Sequence, residues 1–471
     1  MTSAAPAGRK ARIRRAVSRL RWRAWVELEL RTRRRPPRGT RLTVTRPGPA
    51  AKEVFIVPPA SPGSTGDESF VLSVVQQARQ RGWQPTVVRV SEQEEWGRDT
   101  LGAGVLCMPR HQSPRTVRAV REFARRVRPA DVLLYLGTDA VGGAYGRDAI
   151  SHLMLVKAVC AAGARAAVIS FSFDPEPDRL ALRVLRSLPR DVPLVARDQE
   201  SSLRAQAALG RPVTLGADVA FLVEDDDASP DNEGTERALA WIGLRRAKGR
   251  TVIGVNINSL LLGISPFDDS PTAREQLGRM LDAMTRALGT LIAEDSVSVV
   301  LIPHDERGVW SDEVLAERLA ERLAGAYQED TLALRRLPVF STRRLCGSVD
   351  AVVSGRMHLL ISCLAVGCPV GSLTYLGKFD GLLRETGLDA WSLPGQRIVH
   401  PGEVTELARR IIRDRELMIS RERSALPALC ERAARNFAVL WLRAAPLMVP
   451  GARKRGEGDN HGSFYSGVLL K

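Results

Sequence analysis

An arginine and a histidine two residues apart stand where they could bind an anion and move a proton. Arg356 and His358 follow a short apolar run, 349–353, and the pair Ser354 and Gly355, and apolar residues at helical spacing come after them. The start of a helix offers free backbone N–H groups that favour an anion. A guanidinium adds donors suited to phosphate or carboxylate, and imidazole titrates near neutral pH. The pattern predicts an anion site with a proton-transfer group; the alternative is an arginine that caps a neighbour and a histidine satisfied within the core.

Further cations follow other predicted strands. Lys378, Arg197 and His304 each come at or soon after the end of a short apolar run typical of a buried strand. In open α/β sheets, ligands bind at the carboxyl ends of the strands. We therefore expect these side chains to face one cleft. For Arg197 the alternative is an ion pair with Asp198 or Asp218.

A glycine-containing loop, 58–69, lies between a predicted strand, 53–57, and a helix predicted over 70–81. A loop in this place is expected to face the ligand. Taken alone, the glycines Gly63 and Gly66 are weak evidence for such a site. From the residues alone, Asp67 is a candidate helix N-cap, a position that aspartate favours.

These residues need a scaffold that brings strand ends together. Strand-like runs alternate with helix-like stretches in both halves of the chain, which predicts an α/β fold with parallel sheets covered by helices. A chain of 471 residues is too long for one ordinary core, so two domains are expected. The predicted segments are a basic leader and linker (1–52), an N-terminal domain (53–230), an interdomain connection (231–250), a C-terminal domain (251–400), C-terminal helices (401–447) and a disordered tail (448–471).

The leader has a basic amphipathic pattern. Between residues 13 and 28, apolar side chains recur at helical spacing with arginines among them. Such a helix favours an anionic membrane surface, and we predict peripheral contact with the inner face of a membrane through residues 9–30. A solvated arm is the alternative. The sequence contains no secretory signal and no apolar run of about eighteen residues, so the expected location is the cytoplasm.

The net charge of +16 does not by itself indicate a nucleic-acid partner. Much of the excess lies in residues 9–45 and in the last helix-like segment. Nucleic-acid surfaces instead place cations in a stripe with aromatic residues between them, so no nucleic-acid partner is expected. The six cysteines include no C-x-x-C pair, and we predict no metal site.

Three segments together resemble the polysaccharide pyruvyl transferase family. The first reads S-x-R-x-H, a helix, G-x-P-V, Y-x-x-K and G-L; the second reads R-D-x-x-S, a helix, L-G and A-D-x-A-F; the third resembles G-x-x-G-D-E. The loops 137–148 and 170–178 depart from the family pattern. The matching residues are Ser354, Arg356, His358, Gly367, Pro369, Val370, Tyr375, Lys378, Gly387 and Leu388; Arg197, Asp198, Ser201, Leu209, Gly210, Ala217, Asp218, Ala220 and Phe221; and Gly63, Gly66, Asp67 and Glu68.

The resemblance implies two Rossmann-like domains that face each other across a cleft, as in GT-B glycosyltransferases. It also implies phosphoenolpyruvate as the donor substrate, a saccharide or lipid-linked saccharide as the acceptor, a pyruvate ketal as the product and no further cofactor. In this scheme His358 and Arg356 are catalytic. The substrate-binding residues are Arg197, Lys378, His304, Ser354, Asp67 and Gly66, and Asp67 would hold the loop or touch a sugar hydroxyl. The N-terminal domain would lie on the acceptor side and the C-terminal domain on the donor side.

Two other functions stay open. A nucleotide-sugar-dependent glycosyltransferase with GT-B architecture could place its diphosphate at the same helix start and at Arg356. A relative that binds polymer without catalysis is the second, because two loops differ from the family pattern. Bound phosphoenolpyruvate, with no bound nucleotide, would separate the first alternative from a pyruvyl transferase.

Overall fold

The folded chain is built on two sheets whose paired strands all run parallel. Parallel strands need crossover connections, and helices supply them here. The predicted α/β class with two Rossmann-like domains is confirmed. The computed structural model describes residues 20–30, 52–89, 104–107, 114–143, 148–224, 233–375, 377 and 379–441.

The N-terminal sheet has seven strands, and its central members are buried over nearly their whole length. This is the pattern of a parallel sheet with helices on both faces. The strands are β1 (Glu53–Val57), β2 (Gln84–Arg89), β3 (Gly104–Cys107), β4 (Val132–Thr138), β5 (Arg165–Phe171), β6 (Leu194–Ala196) and β7 (Thr214–Leu215). Their order across the sheet is β3-β2-β1-β4-β5-β6-β7.

The C-terminal sheet has six strands with the same apolar character. They are β8 (Thr251–Asn256), β9 (Val297–Leu301), β10 (Thr331–Ala333), β11 (Ala351–Ser354), β12 (Val370–Thr374) and β13 (Ser392–Pro394). Their order is β10-β9-β8-β11-β12-β13. The strand order changes direction at β8: β9 and β10 lie on one side of it, and β11, β12 and β13 lie on the other. In doubly wound sheets a crevice forms at such a point.

Helices cover both sheets and close the chain. In the N-terminal half they are α1 (20–30), α2 (Thr65–Gln80), α3 (Pro114–Arg126), α4 (Asp148–Ala161), α5 (Arg179–Ser187) and α6 (Gln199–Leu209). In the remainder they are α7 (Glu233–Ala247), α8 (Pro271–Glu294), α9 (Asp312–Tyr327), α10 (Val339–Cys346), α11 (Met357–Val366), α12 (Asp380–Thr386), α13 (Pro401–Arg413), α14 (Arg415–Ala434) and α15 (Ala438–Trp441).

The structure adds detail to two of the predicted segments, 231–250 and 401–447. Most of the predicted connection at 231–250 is helix α7, whose Ala238 and Ile242 are buried in the core of the C-terminal domain. At the other end, the chain after α14 returns to the N-terminal domain, where Phe437 is fully buried and Asn436 receives a hydrogen bond from the Ser170 backbone at 2.8 Å. Burial of apolar side chains, which a charge-based reading of these segments did not weigh, decides both placements.

The leader is also partly folded. Trp22 and Val26 of α1 are 1% and 0% exposed and belong to the N-terminal core, so residues 20–30 are neither a solvated arm nor a free amphipathic helix. The apolar pattern on which the prediction rested places Leu20 and Leu28 on the opposite, exposed side. Residues 9–19 of the predicted membrane segment lie outside the described residues. None of the described helices is long and apolar enough to cross a membrane.

Helix α14 carries a buried acid into the C-terminal domain. Glu422 is 1% exposed, and burial raises the pKa of its carboxyl to about 8. Among the described residues, only the backbone of Val370 favours the charged form. The side chain is therefore protonated in the fold at neutral pH.

We expect this proton to make stability fall as pH rises. The unfolded chain releases it near pH 4.5, whereas the folded chain holds it until about pH 8, so between these values the folded state binds more protons and the free energy of unfolding decreases with pH. Glu422→Gln should flatten this slope and raise the free energy of unfolding at pH 8 by about 1–3 kcal/mol. Urea denaturation between pH 5 and 8 measures it. Glu416→Gln, an exposed site on the same helix, is the matched control; parallel curves for wild type and Glu422→Gln would contradict the assignment.

Candidate active site

The strand–turn–helix of the R-x-H motif forms as predicted. Strand β11 ends at Ser354, whose hydroxyl accepts a hydrogen bond from the Arg356 backbone N–H (3.1 Å) and donates to the Arg356 carbonyl (2.8 Å). Helix α11 then begins at Met357 and ends at Gly367, which has the left-handed φ of 69° common after helices. Ser354 is fully buried, so its side chain serves the turn that presents the helix start.

Arg356 lies at that helix start with its side chain already engaged. Its Nε and Nη2 donate to the two carboxylate oxygens of Asp312 at 3.1 and 2.7 Å, and Nη1 lies 3.7 Å from Asp305. Burial alone would lower the pKa of Arg356, but Asp312, then Tyr375 and Asp305, raise it above its ordinary value. We predicted that Arg356 binds a substrate anion. In the structure its guanidinium instead neutralises the buried carboxylate of Asp312.

His358 occupies the first turn of α11 and points toward the N-terminal domain. Its Nε2 lies 3.5 Å from an oxygen of Asp218, and its ring packs edge-on against Phe70 with centroids 4.9 Å apart. Helix α2 passes so close that a Cβ placed on Gly66 would lie 2.6 Å from His358 Nδ1. Gly66, predicted to contact substrate, is thus the residue that leaves room for the histidine.

Asp218 links this histidine to Arg197. Nη1 of Arg197 donates to Asp218 at 3.3 Å, Nε donates to Ser172 at 2.8 Å, and Nη2 pairs with Asp139. The ion pair with Asp218 that the sequence left as an alternative is therefore present. Burial alone would raise the pKa of Asp218, but His358 and then Arg197 hold it below its ordinary value.

His304 follows β9 and lies close to the same charges. It is 1% exposed, and neither ring nitrogen has a hydrogen-bond partner among the described residues. Burial, together with the positive charges of His358, Arg356 and Arg336, lowers the pKa of His304 well below its ordinary value. Its ring is thus neutral and has unused hydrogen-bonding capacity.

The start of α2 joins the two domains. The helix begins at Thr65 rather than Phe70 because Ser64 is its N-cap, which places Asp67 in the first turn and excludes Asp67 as the cap. Asp67 pairs with Arg307 of the C-terminal domain at 2.9 Å, and the Thr65 N–H donates to the His304 carbonyl at 3.0 Å. In this arrangement Asp67 holds the loop, which is one of its two predicted roles.

A pocket opens beside the Arg197–Asp218 pair, with ≈ 300 Å³ of open space. One end is polar, and the wall continues as apolar side chains from α11, α12 and α14. Lys378, predicted to add a cation nearby, lies outside the described residues. The lining residues are Arg197, Asp198, Ala217, Asp218, Phe221, Met357, Ile361, Leu382, Glu385 and Leu429.

Sequence reasoning found only one of the carboxylates that organise these cations. Asp218 was weighed as a partner of Arg197, but its approach to His358 was not expected. Asp312 and Asp139 lie 44 and 58 residues from the arginines they pair with. No local spacing connects such partners.

Comparison with known proteins identifies the family. A model of the polysaccharide pyruvyl transferase family matches residues 65–377, which is most of the chain and includes Arg197, Asp218, His304, Arg356 and His358. The chain belongs to this family. It is an enzyme family, and the resemblance read from the three motifs is confirmed. Among curated proteins, no sequence matches the chain significantly.

Solved structures confirm the GT-B-like arrangement of this pyruvyl transferase family member. A UDP-GlcNAc 2-epimerase from Neisseria meningitidis bound to UDP-GlcNAc has a TM-score of 0.53 at 11% identity, over 83% of this chain and 99% of that one. The S. aureus MnaA-UDP complex has a TM-score of 0.55 at 12% identity, over 83% and 98%. A glycosyltransferase from Rickettsia africae has 0.50 at 13%, over 83% and 99%. At these identities the similarity concerns the fold.

In this pyruvyl transferase family member, Gly66→Ala should displace His358. Alanine normally stabilises a helix relative to glycine by about 0.5–1 kcal/mol, but here the added methyl would overlap the imidazole ring. We expect turnover to fall at least about tenfold, the scale expected when an active-site group is displaced, and the free energy of unfolding to fall by about 1–3 kcal/mol, as at other overpacked positions. Gly243→Ala is the control, since a Cβ at that helical glycine meets nothing within 4 Å. Equal turnover of the two variants would show that the ring tolerates the contact.

Arg356→Ala should destabilise the fold. Removal of the guanidinium leaves the carboxylate of Asp312, which is 1% exposed, without its cation, and such a loss typically costs about 3–5 kcal/mol. Chemical denaturation measures this change. The double variant Arg356→Ala/Asp312→Asn should recover part of the loss because no uncompensated charge remains. If Arg356→Ala unfolds at the wild-type denaturant concentration, the ion pair contributes nothing and Arg356 is free for substrate.

Proposed function

We propose that the enzyme transfers a pyruvyl group from phosphoenolpyruvate to two hydroxyl groups of a saccharide, forming a pyruvate ketal. The observation that supports this proposal is the Arg197–Asp218–His358 chain, of which Arg197 and Asp218 line the pocket, in a member of the pyruvyl transferase family. It combines a cation for an anionic donor with an imidazole that lies beside a buried carboxylate.

The reaction requires one proton donor and one base. Protonation of the donor methylene carbon makes C2 electrophilic, and a sugar hydroxyl then adds to C2 and loses its proton. Cleavage of the bond from C2 to the phosphate oxygen releases inorganic phosphate. The second hydroxyl adds to C2, loses its proton and closes the ketal. The sum is phosphoenolpyruvate plus a diol giving a ketal plus phosphate.

His358 fits the proton donor in this scheme. An oxygen of Asp218 lies 3.5 Å from one ring nitrogen, a position from which a carboxylate can orient an imidazole. The start of α11 and Arg197 then supply positive potential for the phosphate and carboxylate of the donor. Arg356 would not contact the donor directly, because its side chain is paired with Asp312, but it adds positive charge close to the site. The neutral ring of His304 can offer a hydrogen bond.

The assay that tests the proposal follows phosphate release and product mass with phosphoenolpyruvate and a panel of saccharides. We expect phosphate release only with an acceptor that carries two suitably placed hydroxyls, together with a product heavier by one ketal-linked pyruvate. Turnover of a nucleotide sugar without use of phosphoenolpyruvate would contradict it and favour the glycosyltransferase alternative. Polymer binding with neither reaction would favour the non-catalytic one.

His358→Asn should abolish most of the turnover. Asparagine keeps a hydrogen-bond donor of similar size but cannot deliver a titrating proton, so kcat should fall by at least about a hundredfold, within the range of a lost general acid. Affinity for phosphoenolpyruvate, measured by calorimetry, should change much less. The pH profile of kcat should lose the limb that reports the general acid. Near wild-type turnover with an unchanged profile would make His358 structural and direct attention to His304.

A further inference from the structure

Helix α1 presents an apolar ridge to solvent. Leu20 and Leu28 are 67% and 53% exposed, and Ala24 between them is exposed as well. At 3.6 residues per turn these positions, four residues apart, lie on one side of the helix. Arg21 and Arg23, both exposed, flank the ridge. We call the exposed face formed by residues 20, 21, 23, 24 and 28 the α1 ridge.

The opposite side of α1 fixes the helix rigidly on the domain. Trp22 and Val26 are buried in the N-terminal core. Two acids tie the helix to its neighbours: Glu27 pairs with Arg183 of α5 at 2.6 Å, and Glu29 pairs with Arg121 of α3 at 3.3 Å. The exposed leucines therefore do not belong to a loose segment that could turn them inward.

The surroundings of the ridge are strongly basic. Arg118 and Arg125 of α3 lie one turn to either side of Arg121 on the same helix face and are exposed. Among the described residues of α1, α3 and α5, the acids are Glu27, Glu29 and Glu122, and each is paired with an arginine. The arginines of these helices outnumber the acids, so the face as a whole is positive.

We propose that the α1 ridge and the adjacent face of α3 dock on an anionic lipid bilayer. Exposed leucines at the centre of a basic face are the pattern of peripheral membrane helices, in which apolar side chains enter the headgroup region and arginines attract acidic lipids. A second copy of the chain would bring the same positive charge to the contact. A nucleic acid would use the arginines but would leave the leucines without a role. This inference does not depend on the proposed reaction.

The test uses the full-length protein and sedimentation with vesicles of phosphatidylcholine, with or without phosphatidylglycerol. We expect binding to the anionic vesicles only, weakening as salt is raised. Leu20→Glu/Leu28→Glu should reduce the bound fraction at least about tenfold, and Ala24→Leu should increase it. The matched control is Leu203→Glu/Leu244→Glu, which adds the same charge at leucines that are 58% and 62% exposed elsewhere on the protein; it should bind nearly as wild type. Thermal melting checks that all variants are folded.

Three results would overturn the proposal. One is equal vesicle binding by wild type and Leu20→Glu/Leu28→Glu, which would move the contact to another part of the chain. Another is an equal loss of vesicle binding in Leu203→Glu/Leu244→Glu, which would show that the lost binding reflects only the change in net charge. The third is a result in which Leu20→Glu/Leu28→Glu binds vesicles as wild type does but changes from dimer to monomer in light scattering. That result would assign the ridge to self-association.

Discussion

The active-site region depends on the neutralisation of two buried carboxylates. Asp218 and Asp312 are 4% and 1% exposed, and an isolated carboxylate at such depth would be too costly to remain charged. Arg197 and His358 surround the first, and Arg356 holds the second with two hydrogen bonds. The cations that stand out in the sequence as candidate ligands for an anion are therefore also the counter-ions that allow the site to fold.

Asp218 also helps to connect the two domains. Asp218 belongs to the N-terminal domain and lies 3.5 Å from His358 of the C-terminal one, while Asp67 and Arg307 form a second link at 2.9 Å. The backbone bond between Thr65 and His304 adds a third. Chemistry in the cleft is therefore coupled to the position of one domain against the other, because His358 has its carboxylate partner only while the two are together.

The sequence pattern predicted those elements whose ends are set by neighbouring residues. The run of apolar residues, the turn at Ser354 and the closing Gly367 define α11 without reference to distant parts of the chain. The start of α2 was misplaced because Gly63 and Gly66 look like loop residues, whereas Ser64 caps the helix and Gly66 is needed for its approach to His358. Pairings across the fold, such as the one between Arg356 and Asp312, arise only when β11 and α9 meet. The same holds for α1: its regular apolar spacing belongs to the exposed Leu20 and Leu28, whereas the burial of Trp22 and Val26 depends on contacts with the distant N-terminal core.

The donor proposed above is anionic, and it would enter a site whose arginines are already matched by acids. Phosphate and carboxylate would compete with Asp139, Asp218 and Asp312 for the same guanidinium groups, and extra negative charge in a buried setting requires extra positive charge. His304 lies close to these groups: its ring nitrogens are unpartnered among the described residues, and burial, together with the surrounding cations, keeps its pKa low. A bound dianion would oppose the contribution of those cations and shift the pKa of His304 upward. A neutral buried histidine in a cluster of ion pairs is thus suited to a site that has to accept charge only when its substrate is present.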